Sequence, residues 1–287
     1  NAVSHIGGSP NFVDIEERTL GIDPEKLEKY LSRIVIMNND CPFNKISGAK
    51  ITALIAVHIY GNSCDILGIS KICKKFNIKL IEDCAGALGT FSNVGNKYKH
   101  VGKFGEIGCL SFNGNKIITT GGGGAVLTES KEIFDKIHHL STTARVSHPY
   151  EIVHDQIGWN DRLPNINAAL GLSQLDIFQE ILDRKKQIYE LYKERFLKND
   201  ICQFLEHNQF CNSNYWLNSL LIGNNVDNKK FKKLLYDQLS RENIMIRAGW
   251  KPINQLKMYQ NNPSDDCSIA DNISQRIINI PSNFLIN

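Results

Sequence analysis

Apolar positions in the first half of the chain switch between two periods. Leu27, Tyr30, Leu31 and Ile34 recur at helical spacing. They follow Asp23-Pro24-Glu25, where the Asp caps a helix N-terminus, the Pro occupies its first turn and the acid suits its dipole. Residues 51–60 are a short apolar run rich in β-branched side chains, the pattern of a buried strand. Asp65 then precedes Ile66, Ile69, Ile72, Cys73 and Phe76, again at helical spacing. Residues 78–81, 107–112 and 125–128 read as further buried strands, the first of them ending at Glu82-Asp83. Phe12-Val13-Asp14-Ile15, after a Gly- and Pro-containing turn, reads as a short strand. Strands alternating with helices predict an α/β fold with a mostly parallel sheet and helices on both faces.

Beyond about residue 130 the period becomes helical. Ser130 is placed to cap a helix running through His139. Asn165 opens a long apolar-periodic stretch through Ile166, Ala169, Leu170, Leu175, Phe178, Ile181 and Leu182. From about residue 200 a small α+β unit is expected, with a strand at 215–222, a basic helix at 228–240 and a final helix at 271–278. The expected organisation is a large domain at 1–165, a connecting long helix at 166–199 and a small C-terminal domain at 200–287.

The 287 residues can bury a sizeable core, and 42% hydrophobic with 22% charged residues excludes a mainly disordered chain. A net charge of +3 is too small and scattered to predict a nucleic-acid partner. Residues 51–60 are the longest mainly apolar stretch, interrupted by Thr52 and His58, and fall far short of the roughly 20 residues a membrane span needs. The eight cysteines are scattered without a C-x-x-C pair, as expected of free thiols in a reducing cytoplasm. The chain opens Asn1-Ala2-Val3 without a basic leader, so neither a signal peptide nor the native start is expected here.

Asp83 ends an apolar strand, where open α/β sheets bind ligands. A carboxylate there can pair with a cationic ring nitrogen or simply cap the next stretch of backbone. Lys116 lies just past the strand at 107–112, amid small polar residues. Such a lysine is either a surface loop residue or an amine of depressed basicity, suited to Schiff-base chemistry. Ser111 can donate to a phosphate oxygen or serve the strand. The glycines at 121–124 lack both the G-x-G-x-x-G spacing and the P-loop ending, so they read as architectural. The histidines show no metal-ligand spacing, and His138 and His139 diverge on a helix. His154-Asp155 sets an imidazole beside a carboxylate, which either tunes it or fixes it by a structural hydrogen bond. No G-x-S-x-G elbow is present, which disfavours an α/β-hydrolase.

Several segments together resemble the DegT/DnrJ/StrS family of pyridoxal-phosphate (PLP) sugar aminotransferases. They are Gly7-Gly8-Ser9-Pro10-Asn11-Phe12-Val13-Asp14, Val57-His58-Ile59-Tyr60-Gly61, Ile81-Glu82-Asp83-Cys84-Ala85-Gly86, residues 105–116 and Gly158-Trp159-Asn160-Asp161-Arg162. Asp83 followed by Ser111-x-x-x-x-Lys116 is the most specific of these matches. The stretch Ser111 to Thr120 with its glycine run, Ser141-Thr142-Thr143-Ala144-Arg145 through His154-Asp155, and Leu163-Pro164-Asn165 to Gly171 look like one branch of that family. That branch makes 4-amino-4,6-dideoxy-N-acetyl sugar nucleotides of the bacillosamine and legionaminic-acid type. Arg247-Ala248-Gly249-Trp250-Lys251-Pro252 resembles its C-terminal motif.

The resemblance implies PLP fold type I, as in aspartate aminotransferase. It implies that Lys116 forms the Schiff base with PLP and later moves the substrate proton, that Asp83 keeps the ring nitrogen protonated, and that Ser111 binds the phosphate. Asn160 would reach the phosphate of a neighbouring subunit's cofactor, which makes a homodimer with shared sites. The implied substrates are an amino acid, glutamate foremost, and the 4-keto group of a nucleotide-linked 4-keto-6-deoxy N-acetyl sugar. His154, Arg162 and Arg247 are candidates for holding that sugar nucleotide. Gly86 departs from the family, which usually places Gln, Glu or His near the cofactor's hydroxyl. The family's N-terminal segment, with a Gly-Thr phosphate turn and a central strand, has no counterpart here, so weak PLP binding and poor stability are expected of the chain alone. The alternatives are a PLP sugar dehydratase, which Lys116 opposes, and an inactive PLP-fold fragment, which Gly86 and the missing segment favour.

Overall fold

A computed structural model of the chain describes residues 1–283. Its central sheet carries β1 (Ala53–Val57), β2 (Lys79–Asp83), β3 (Ile107–Ser111) and β4 (Gly124–Leu127) in that spatial order. β1, β2 and β3 are parallel, and β4 returns antiparallel to β3. The α/β class and the mostly parallel sheet agree with the strand–helix alternation. Helix α1 (Pro24–Ile34) is capped by Asp23, which accepts from the N–H groups of Glu25 and Lys26. Helix α2 (Ile66–Lys75) is capped by Asp65 through Gly68 N–H. Their apolar stripes pack Leu27, Leu31, Ile66, Ile69, Ile72 and Cys73 onto Ala56 and Leu80 of the sheet.

Ser130 caps α3 (Lys131–Ser141), accepting from Ile133 N–H. The stretch expected as one long helix is two, α4 (Asn165–Asp176) and α5 (Phe178–Phe196), parted at Ile177. Gly171 is the one fully buried position of α4, whose apolar side chains are spread around its circumference. A second, antiparallel sheet is built from β5 (Cys202–Phe204), β6 (Asn218–Ile222), β7 (Arg247–Ala248) and β8 (Ile277–Ile280), in the order β5-β6-β8-β7. Its core joins Tyr189 of α5 to Phe204, Leu220, Ile222 and Ile278, with Phe231 and Leu235 of α6 (Asn228–Arg241) packed against them.

Three expectations need correction. Residues 12–15 form no strand: Phe12 bridges to Ser264 and Ile15 to Ile22, so their backbone bonds serve two separate partners. The final helix, α7 (Ser268–Arg276), ends before Ile277, and Ile277-Ile278-Asn279-Ile280 becomes a strand buried along its whole length. The strand at 215–222 begins only at Asn218, since Tyr215 sits at φ 51. The reading also misses two hairpins, Val35–Asn38 with Cys41–Asn44 and Phe91–Val94 with Lys97–His100. Their turns, Asn39-Asp40 and Gly95-Asn96, carry the expected turn residues. Cys211–Asn212 adds a third strand to the second hairpin and so fastens the C-terminal region to the N-terminal one. In the glycine run, Gly121 and Gly123 hold φ of 79 and 92, which accounts for it architecturally.

Candidate active site

Register along the parallel strands decides which side chains meet. Asp83 pairs with Cys109 across β2 and β3, and Ser111 lies two residues further along β3. Since alternate residues share a face, Asp83, Cys109 and Ser111 line one face at the carboxyl ends of their strands. Asp83 is half-buried and accepts from Ala85 N–H at 2.9 Å. Ser111 accepts weakly from Asn113 N–H at 3.4 Å. Burial, together with the Asp83 carboxylate, pushes the Cys109 thiol up. Cys109 lies on the site face, although the sequence reading attached no role to it.

After β3 the chain turns at once: Lys116 N–H donates to the Asn113 carbonyl at 3.0 Å, which closes a turn over residues 113–116. Lys116 is half-buried, and its Nζ lies 4.1 Å from the centroid of the Trp216 ring. Burial lowers its basicity, and the Asp83 carboxylate partly opposes this. The strand-end acid and the loop lysine therefore share one electrostatic environment. Gly86 follows Asp83 in the connecting loop, and its carbonyl accepts from the Asn214 side chain at 2.9 Å. Asn214 and Trp216 were missed in the sequence, where no periodicity or spacing marks them.

The other predicted residues lie elsewhere on the surface. Asn160 is exposed and bridges to Thr142. Arg162 is exposed, with Nη1 3.5 Å from His138 Nε2. His154 meets the Thr143 carbonyl through Nδ1 at 2.7 Å. The neighbouring Asp155 pairs instead with His139 Nε2 at 2.7 Å, so the carboxylate–imidazole pair expected at 154–155 forms with a different histidine. Arg247 is exposed beside Met245, its Nη2 3.9 Å from the sulfur.

On the opposite face of β2, Glu82 and His58 form a fully buried pair at 3.1 Å. Cys84 lies close enough for a His–Glu–Cys metal set among the described residues. Glu82 is satisfied without an ion, however. Its Oε1 accepts from Phe104 and Gly105 N–H, and its Oε2 from Gly102 N–H and His58. Burial would raise its pKa, but the His58 and amide donors hold it below the usual carboxylate range.

The donor set at the strand ends fits pyridoxal phosphate: a carboxylate for a pyridine nitrogen, an amine of lowered basicity for a carbonyl, and a hydroxyl for a phosphate. A sequence profile of the DegT/DnrJ/EryC1/StrS aminotransferase family matches residues 1–286. The chain is 33% identical to a GDP-perosamine synthase of Escherichia coli O157:H7, over 98% of this chain and 70% of that protein. It is 28% identical to a UDP-4-amino-4,6-dideoxy-N-acetyl-beta-L-altrosamine transaminase of Campylobacter jejuni, over 98% of this chain and 70% of that one. The solved structure of Helicobacter pylori PseC, an aminotransferase involved in the biosynthesis of pseudoaminic acid, superimposes with a TM-score of 0.84 at 27% identity. That match covers 99% of this chain and 71% of the PseC chain. With the profile spanning nearly every residue, the chain belongs to the DegT/DnrJ/EryC1/StrS family of PLP-dependent aminotransferases.

Proposed function

We propose that the protein transfers an amino group from an amino acid, glutamate foremost, to the 4-keto group of a nucleotide-linked 4-keto-6-deoxy N-acetyl sugar. The observation that carries this reading is the placement of Asp83 at the carboxyl end of β2 and of Lys116 in the turn that follows the adjacent parallel strand β3. Relatives named for GDP- and UDP-linked amino sugars support the acceptor class. When bound, PLP supplies an electrophilic carbonyl carbon and an electron-withdrawing ring. Asp83 holds a proton on the ring nitrogen, and Ser111 donates to the phosphate. Lys116 provides the amine that binds the cofactor and takes and returns the proton at the substrate carbon. Gly86 lends its backbone to the same loop.

In this reading two copies associate, and Asn160 of one reaches the phosphate site of the other. Exposed apolar side chains around that segment support the association, with Ile157 92% and Ile166 82% exposed. His154, Arg162 and Arg247 contact the sugar nucleotide. All eight cysteines are free, which suits a cytoplasmic enzyme. Among the described residues, no helix is long and apolar enough to cross a membrane.

The test is borohydride reduction in the presence of PLP with peptide mass mapping, then incubation with glutamate and UDP- or GDP-linked 4-keto sugars. A phosphopyridoxyl adduct on Lys116 and a 4-amino sugar product are expected. An adduct on another lysine, or none, would refute the assignment.

A further inference from the structure

Segments from distant parts of the chain meet at Trp216, which is 4% exposed. A Cβ built on Gly86 would lie 2.4 Å from Cε3 and 2.6 Å from Cζ3 of the indole, so the ring fits because position 86 has no side chain. Lys116 Nζ sits over the ring at 4.1 Å from its centroid. The indole Nε1–H donates to the Asn115 carbonyl at 2.8 Å. The main chain of Trp216 is held as well: its N–H donates to Asn214 Oδ1 at 2.9 Å, and its carbonyl accepts from Lys185 Nζ at 2.9 Å. The ring is thus fixed at its own backbone while touching both segments that carry the candidate chemistry.

We propose that Trp216 is a positioning residue for Lys116, wedged against Gly86 and setting, through its ring face and indole N–H, where the 113–116 turn presents the amine. This rests on the function proposed above, in which Lys116 is the reacting amine. A lysine side chain is long and flexible, and an aromatic face within about 6 Å of its ammonium both attracts it and restricts its travel. The indole hydrogen bond acts on the neighbouring residue, Asn115, and so fixes the backbone from which Lys116 projects. A side chain at position 86 and the indole compete for one volume, so the two positions are energetically coupled.

The purified full-length protein tests this in two measurements. One is the rate at which the borohydride-trapped phosphopyridoxyl adduct appears on Lys116 at limiting PLP. The other, without PLP, is amide hydrogen exchange across residues 112–118. Trp216→Leu should slow the adduct by roughly tenfold or more, as misplacement of a reacting group does, and should speed exchange in the turn. Trp216→Phe, which keeps a ring face without the N–H, should restore most of the rate. Gly86→Ala should slow the adduct, and Gly86→Ala with Trp216→Leu should react faster than Gly86→Ala alone. Unchanged rate and exchange in Trp216→Leu would overturn the proposal. If Trp216→Leu does not fold, an unchanged rate in a folded Gly86→Ala protein overturns it instead. No adduct on Lys116 in the unaltered protein overturns the proposed function and this inference together, whereas an adduct indifferent to these substitutions overturns the inference alone.

Discussion

Glu82 and Asp83 are neighbours in sequence and face opposite sides of the same strand. The first is locked against His58 in the interior, and the second opens onto the candidate site with Cys109 and Ser111. One dipeptide therefore serves the fold on one face and, in the proposed function, the chemistry on the other, so substitutions at its two positions should separate stability from activity.

Glu82→Gln should cost about 3–5 kcal/mol of unfolding free energy in a urea titration, the scale for breaking a buried ion pair from one side. The carboxamide also sets an NH2 donor against backbone donors that now converge on the carboxylate. The pH dependence has a definite sign. Because the folded-state pKa of Glu82 is lowered, its stabilisation is full above the ordinary value of 4.5 and is lost as pH falls through the lower folded value. Burial opposes the charge on His58, yet contacts with Cys64, Cys84 and Glu82 raise its pKa well above 6.5. Its stabilisation is therefore full below 6.5 and lost as pH rises through the raised value. Glu82→Gln should flatten the acid limb below pH 4.5. An unchanged acid limb would show that other carboxylates dominate it.

Asp83→Asn should leave the fold nearly untouched, because the amide oxygen can still accept from Ala85 N–H. The unfolding free energy from a urea titration should move by no more than about 0.5 kcal/mol, while transamination falls by roughly a hundredfold or more, the scale of losing one electrostatic partner of a reacting group. A variant that keeps its activity would remove Asp83 from the site.

The contrast between these residues also shows what the chain makes legible. Asp83, Ser111 and Lys116 stand at or just past the ends of apolar strands, a local signal that marks them as candidates, while the family resemblance is what implies their roles. The alternation that predicted the parallel sheet is local too. Trp216 and Asn214 carry no such mark: their partners Asn115 and Gly86 lie 101 and 128 residues away, and only the packed chain brings them together. The misread strand at 277–280 has a different cause. No Gly or Pro separates it from α7, so a helical period runs into a short isoleucine-rich stretch that suits either element.

Lys185 offers a pH effect opposite in sign to that of His58. It is 7% exposed and donates to the carbonyls of Trp216 at 2.9 Å and Ser282 at 2.6 Å. Burial lowers its pKa from 10.5 to about 8. Between those values the unfolded chain holds more protons than the folded one, so stability from this group rises with pH, by on the order of 3 kcal/mol in all. Lys185→Met should lose that rise between pH 8 and 10, and at pH 7 should lose about 1–3 kcal/mol for each of the two carbonyls left unpartnered. Thermal melts at matched pH values compare the two proteins; parallel pH profiles would refute the assignment.

Asn214 is fully buried and ties three groups at once, donating to the Gly86 carbonyl at 2.9 Å and the Leu88 carbonyl at 2.8 Å while accepting from Trp216 N–H. Asn214→Ala should cost about 3 kcal/mol or more, since each stranded buried group costs roughly 1–3 kcal/mol. It should also weaken PLP binding, because the loop after Asp83 and the backbone of Trp216 lose a common anchor. PLP affinity unchanged in a destabilised protein would confine Asn214 to a structural role.

Helix α4 states the case for a second copy of the chain. Ile166, Leu170, Leu172 and Leu175 of α4 are all exposed, more large apolar side chains than one short surface helix ordinarily leaves in water. A helix with apolar side chains around its circumference needs partners on more than one side. Ile166→Glu puts a charge in the first turn of that helix on a side chain that is 82% exposed, so the fold of one copy should tolerate it within about 0.5 kcal/mol. Burial of that charge in a copy-to-copy interface would be far costlier. Sedimentation equilibrium should therefore show a dimer for the unaltered protein and a folded monomer for Ile166→Glu. If Asn160 completes its neighbour's site, the monomer should also lose PLP affinity. A variant that remains dimeric would move the interface off α4.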